Sequence, residues 1–186
     1  MELEPRFSEA EIAAAVARVA GDISRDYAGE TPVLVGVLKG SFVFLADLVR
    51  ALSIECEVDF VRARSYGAGQ TSSGSVEITK DLDADVAGRH VVVVEDIVDS
   101  GLTMRAVGKH IEAADPASIR YCALLVRDGC DEPDYAGLRI GAGFVVGYGI
   151  DLAEGYRGLR DIRVLPSSME DLDPGTVSGV PGEDTA

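Results

Sequence analysis

Apolar positions in this chain recur at two periods, and the two alternate along most of its length. Ile12, Val16, Val19 and Ile23 follow one another at helical spacing, and Ser8 to Glu11 (S-E-A-E) ahead of them forms a capping-box pattern. Together they predict a first helix from about residue 9 to residue 27. VLVGVL (Val33 to Leu38) is a continuous apolar run that reads as a buried strand. Lys39-Gly40-Ser41 makes a turn, and FVFLADLVRAL (Phe42 to Leu52) is apolar enough for a packed helix. ECEVDFVRARSY then alternates, with Cys56, Val58 and Phe60 on one parity, and predicts a second strand.

GAGQTSSG, after Tyr66, has no apolar residue larger than alanine and reads as a mobile loop. VEITK (Val76 to Lys80) is its returning strand. After an acidic turn, Asp81 to Gly88, a strand begins at Val91, and a helix is expected from about Thr103 to Ala114. IRYCALLV (Ile119 to Val126) reads as another buried strand, and Arg127 to Gly143 as a polar connector. FVVGYGID (Phe144 to Asp151) reads as a final strand with an acid at its end. From Ser167 onward the chain is rich in Gly, Pro, Ser and acids, a composition that predicts a disordered tail over 167–186. Strands alternating with helices imply a mainly parallel, twisted α/β sheet flanked by helices. Such sheets bind ligands beyond the carboxyl ends of their strands. The turns after Leu38, Val94, Val126 and Tyr148 are therefore expected along one edge.

A length of 186 residues fits one domain over 1–166 with a sizeable core. No apolar run reaches the roughly 18 residues a membrane span needs. The acidic start, MELEPRFSEAEI, lacks the layout of a secretory signal, so a cytoplasmic location is expected. Cys56, Cys122 and Cys130 are odd in number and fit no metal or CxxC spacing, which reads as reduced, structural thiols. A net charge of −15 argues against a partner that is nucleic acid or anionic membrane. A phosphate-rich ligand would have to be met by a local positive patch or by a divalent cation.

VVVVEDIVDSGLT (Val91 to Thr103) concentrates the chemistry. A β-branched run leads to adjacent carboxylates, Glu95 and Asp96, then to Asp99 and a small-residue turn into a helix. Backbone N–H groups at such a helix start can cradle a phosphate. Carboxylates just before them can hold sugar hydroxyls or a magnesium ion. On spacing alone, a solvated acidic loop with Asp99 as a helix cap is an equal reading.

The whole string resembles the phosphoribosyl-pyrophosphate loop of type I phosphoribosyltransferases, specifically the hypoxanthine-guanine branch, and the likeness runs from about Val33 to Leu165. Resemblance implies that family's fold, with a small hood lobe built from N-terminal and C-terminal segments. It also implies that Glu95 and Asp96 hold the ribose hydroxyls, directly or through Mg2+. The Asp99-to-Thr103 turn (Ser100, Gly101, Leu102, Thr103) would hold the 5′-phosphate, with Asp99 as general base facing N7 of a purine. VGVLKGS matches the family's pyrophosphate loop, often preceded by a non-proline cis peptide, through Lys39 and Gly40. RARSYGAGQTSSG is similar to its lid, with Ser65 and Tyr66 closing over the reaction centre to exclude water. FVVGYGID…YRGL matches a further family motif. There Phe144 would stack on the purine and a backbone group near Val145 would read its edge. Asp151 would bind a magnesium ion, and Arg157 would contact pyrophosphate.

The implied reaction is purine salvage: transfer of 5-phosphoribosyl from phosphoribosyl pyrophosphate to hypoxanthine or guanine, giving IMP or GMP and pyrophosphate. A homodimer or homotetramer is also implied. One position departs from the pattern. Counting back from Phe144, Glu132 falls where the family supplies a lysine to the purine 6-oxo group, and a carboxylate there would favour an amino group. Arg127 or Arg139 could supply the donor instead, or the register could shift by a few residues. Gly143, where many relatives carry a basic residue, is a second departure. Two alternatives follow: a phosphoribosyltransferase for xanthine, adenine or a pyrimidine, and a non-catalytic nucleotide-sensing regulator. The regulator needs a basic nucleic-acid surface, which the composition lacks.

Overall fold

A computed structural model describes residues 3–65 and 76–166 of the protein. Along the chain it runs β1 (Glu4–Phe7), α1 (Glu9–Asp26), β2 (Val33–Leu38), α2 (Phe42–Ala51), β3 (Glu57–Ser65) and β4 (Val76–Lys80). β5 (His90–Val98), α3 (Leu102–Glu112), β6 (Ser118–Arg127), β7 (Tyr135–Ile140), β8 (Val145–Val146) and β9 (Ile162–Val164) follow. Strands order as β4-β3-β2-β5-β6-β7 in a six-stranded sheet, parallel except for the β3–β4 hairpin. β1, β9 and β8 make a separate three-stranded antiparallel sheet. Among the described residues no helix is long and apolar enough to cross a membrane.

The central strands carry continuous apolar runs, Val33–Leu38 in β2 and Val91–Val94 in β5, because helices cover both faces. Side chains alternate sides along a strand. Thus Val92 and Val94 join Leu34 and the α1 and α2 residues Val16, Ile23, Phe44 and Leu48 in one core. Val91 and Val93 join Val33, Val35, Val107 and Ile111 of the α3 side in a second. The capping box forms as expected: Ser8 N donates to Glu11 Oε2 at 2.9 Å, and Glu11 N donates to Ser8 Oγ at 3.3 Å. β2, α1, α2, β4, α3 and β6 stand within a few residues of their expected limits.

Three strands escaped the sequence pattern. β1 is a four-residue edge strand containing Pro5, and β9 is three residues long. Neither has room to show a period, and each depends on a partner from the far end of the chain. β7 lies inside the expected polar connector. Gly137 within it approaches β6 so closely that a Cβ there would overlap the carbonyl of Leu124. The expected final strand over 144–151 is mostly not a strand. Only Val145–Val146 form a strand, in the small sheet; beyond it Gly147 and Ile150 make a lone bridge, and Gly147, Tyr148 and Gly149 take positive φ (104°, 51° and 100°) that break extension. β5 differs the other way, running on to Val98, so Glu95 and Asp96 lie within the strand rather than after it. The expected lid from Tyr66 onward and the tail from Ser167 lie outside the described residues.

Candidate active site

Parallel pairing carries the β2–α2, β5–α3 and β6–β7 connections to one edge of the sheet. β2 ends at Leu38, whose peptide bond to Lys39 is cis. Gly40 follows, and a Cβ on it would overlap the carboxylate of Asp96 in the neighbouring β5. Gly149 closes on the same turn from the other side, since its own Cβ would overlap the carbonyl of Gly40. Ser41 Oγ donates to Val37 O at 2.7 Å and fixes the turn to its strand. The 147–150 segment thus reaches the site by packing on the β2–α2 turn, not as a strand of the main sheet.

Beyond that turn the cations and acids interlock. Lys39 Nζ meets Glu154 Oε1 at 2.7 Å, and Arg157 Nη2 meets Asp151 Oδ1 at 2.7 Å and Glu154 Oε2 at 3.1 Å. Arg157 Nη1 also donates to Gly149 O at 2.8 Å, and Glu154 N donates to Asp151 Oδ2 at 2.8 Å. The two cations expected at a diphosphate are therefore bridged by one carboxylate. Glu154 was not among the expected site residues. Its signal in the sequence was only its place three residues before Arg157. The Lys39 and Arg157 side chains beside it hold its carboxyl below the usual range.

Glu95 is buried, and burial pushes its carboxyl up to about 8, with the Asp96 charge adding to the effect. Burial likewise lifts Asp96 to about 6, although its own N–H, the N–H of Ile97 and the Arg157 charge pull the other way. Among the described residues no three His, Cys, Asp or Glu side chains gather into a metal-holding group. Magnesium commonly takes only one or two carboxylates and completes its shell with water and substrate phosphates. Glu95, Asp96 and Asp151 suit that sparse arrangement, not a closed protein cage.

Asp99, exposed at the head of the turn, forms an ion pair with Arg127 Nε. Arg127 is the last residue of β6, and its Nη1 donates to Gly141 O at 2.6 Å and Gly143 O at 3.2 Å. Phe144, next along, is 45% exposed, an open aromatic face beside that guanidinium's anchor. Arg127 is thus the group that meets Asp99, whereas Glu132 pairs with Arg139 at 2.6 Å. Counting back from Phe144 pointed to Glu132. Arg127, one of the two arginines expected as an alternative donor, ends a parallel strand at the ligand-binding edge.

Between the two ends lies the turn itself. Gly101 takes φ +69°, a left-handed conformation that opens α3. Leu102 N donates weakly to Ser100 Oγ at 3.4 Å, and Thr103 sits in the first turn of the helix. Of the expected lid, only the end of β3 at Ser65 is described.

Comparison with known proteins agrees with this geometry. Residues 8–152 match the family model described as a phosphoribosyl transferase domain. A hypoxanthine phosphoribosyltransferase of Salmonella typhimurium is 44% identical over 163 residues, covering 84% of this chain and 92% of that protein. A hypoxanthine-guanine phosphoribosyltransferase of Streptococcus pneumoniae is 40% identical over 166 residues, covering 87% and 92%. Among solved structures, a hypoxanthine-guanine phosphoribosyltransferase of Bacillus anthracis superposes with a TM-score of 0.84 at 40% identity, covering 89% of this chain and 100% of that one.

Proposed function

The chain belongs to the phosphoribosyltransferase family, and from that footing we propose how its residues carry out purine salvage. The reaction joins a 6-oxopurine, hypoxanthine or guanine, to the 5-phosphoribosyl group of phosphoribosyl pyrophosphate. The purine N9–C1′ bond forms as the C1′–O bond to pyrophosphate breaks, and the proton on purine N7 passes to Asp99. The observation that carries the choice of base is the Arg127–Asp99 pair. A donor beside an acceptor complements the 6-oxo group beside N7–H. Adenine would set its amino group against the guanidinium, donor against donor, which a desolvated site rejects strongly.

Around that pair, Phe144 stacks on the purine ring and backbone groups near Val145 read its far edge. Glu95 and Asp96 take the ribose hydroxyls, and the Ser100-to-Thr103 amides and hydroxyls take the 5′-phosphate. Lys39, the Gly40 turn and Arg157 hold the pyrophosphate as charge moves onto it. The family resemblance assigns Ser65 and Tyr66 the role of excluding water from the reaction centre. Glu95, Asp96 and Asp151 would hold Mg2+, which when bound supplies charge neutralisation at the ribosyl and diphosphate oxygens. For diphosphate to reach Lys39 and Arg157, Glu154 must release both.

Self-association as a homodimer or homotetramer belongs to the same reading. A groove of about 740 Å3 between α1, α2 and the 157–160 loop, walled by Ile12, Val16, Phe42 and Val43, supplies an apolar face for it. Phe42 at its lip is 44% exposed. The function is tested by pyrophosphate release with hypoxanthine, guanine, xanthine and adenine in turn, in magnesium. Turnover with the first two and little with adenine supports it, and turnover with adenine alone would overturn it.

A further inference from the structure

In a trans peptide the carbonyl and the following N–H point opposite ways. Whatever fixes the carbonyl of Ser100 therefore fixes the direction of Gly101 N–H, and the carbonyl of Asp99 does the same for Ser100 N–H. Both carbonyls are held by side chains from outside the turn. Arg105 Nη2 donates to Ser100 O at 2.7 Å, and the Cys130 thiol donates to Asp99 O. A Cβ on Gly101 would stand 3.0 Å from Arg105 Nη1, so the guanidinium lies directly against the turn. The same Nη1 is 3.4 Å from Asp131 Oδ2, on the residue after Cys130. The brace thus ties α3, the turn and the β6–β7 connector together.

We infer that Arg105 is a positioning residue for the 5′-phosphate, acting through the Ser100–Gly101 peptide, with Cys130 holding the peptide before it. With the two carbonyls turned to the brace, the Ser100 and Gly101 amides are turned to the opposite side, as an anion nest requires. The exposed Arg105–Asp131 ion pair itself contributes little stability. Its use is to aim the guanidinium at a carbonyl rather than into solvent. The connector that begins with the base-reading Arg127 therefore also sets the phosphate amides, and the two ends of the site share one support.

This inference rests on the phosphoribosyl-transfer reading, and one comparison separates the two. Affinities for inosine 5′-monophosphate and for inosine are measured by competition in wild type, Arg105→Met, Arg105→Lys and Cys130→Ala, alongside melting temperature. Loss of a charge-assisted bond to the turn should cut the monophosphate-over-inosine preference about tenfold in Arg105→Met. Arg105→Lys should keep part of that preference, Cys130→Ala should lose a smaller part, and inosine affinity should hold in all. A wild type with no preference for the monophosphate would defeat the phosphoribosyl reading. A wild-type preference retained in full by Arg105→Met, or an equal loss for both ligands, would defeat the positioning role.

Discussion

The α-carbon of Gly40 lies against the carboxylate of Asp96, so the β2–α2 turn and the neighbouring strand β5 share one small space. Any side chain at residue 40 would need room that the Asp96 carboxylate fills. Gly149 presses on the same turn through the Gly40 carbonyl, which leaves the loop no easy retreat.

Gly40→Ala should therefore displace Asp96 or the β2–α2 turn. The expected result is at least a tenfold rise in KM for phosphoribosyl pyrophosphate and destabilisation of about 1–3 kcal/mol, as for other overpacked sites. Steady-state kinetics and urea unfolding check both. Gly21, with open space around its α-carbon, provides the control substitution.

Arg127→Ala removes the donor proposed for the purine 6-oxo group. KM for hypoxanthine should rise about tenfold or more, and discrimination against adenine should narrow, because the unmatched guanidinium is gone. Base-dependent kinetics with both purines decide this. Unchanged hypoxanthine kinetics would remove Arg127 from the site.

Asp99→Asn keeps shape and loses the carboxylate proposed as the base. Turnover should fall about 10²–10⁴-fold, the usual range for a general base. Donor affinity should stay within a few-fold, because the turn amides are intact. Equal turnover in the variant would reject Asp99 as the proton acceptor.

Much of this framework was readable from residues. Val91 to Val94 announce a strand buried on both faces, and Lys39-Gly40 and Asp99-Ser100-Gly101 announce tight turns at its edge. What could not be read depends on tertiary contact. β1 and β9 are too short to carry a period and exist by pairing with each other. β7 is an edge strand whose Gly137 and Arg139 hide its alternation. Glu154 and Arg105 look like ordinary surface charges until folding sets one across Lys39 and Arg157 and the other behind Ser100.

Glu95 makes stability depend on pH in a stated direction. Its carboxyl titrates near 8 in the folded chain and near 4.5 when exposed, so the folded state holds the extra proton between those values. Without donor or metal, the stability of wild type relative to Glu95→Gln should fall as pH rises from about 4.5 to about 8. Above that it should level off. Within the window the slope should not exceed about 1.4 kcal/mol per pH unit, the limit for a single proton. Urea midpoints for both proteins at three pH values across this window provide the check. A flat difference would mean that Glu95 is ionised and as well solvated in the folded chain as in the unfolded one.

Calorimetric titration of the wild-type protein with phosphoribosyl pyrophosphate in magnesium tests most directly whether the β5–α3 corner grips an activated sugar phosphate. Saturable binding at one site per chain is expected, weakened by Gly40→Ala and largely retained by Asp99→Asn. No measurable heat or affinity from correctly folded protein would contradict it.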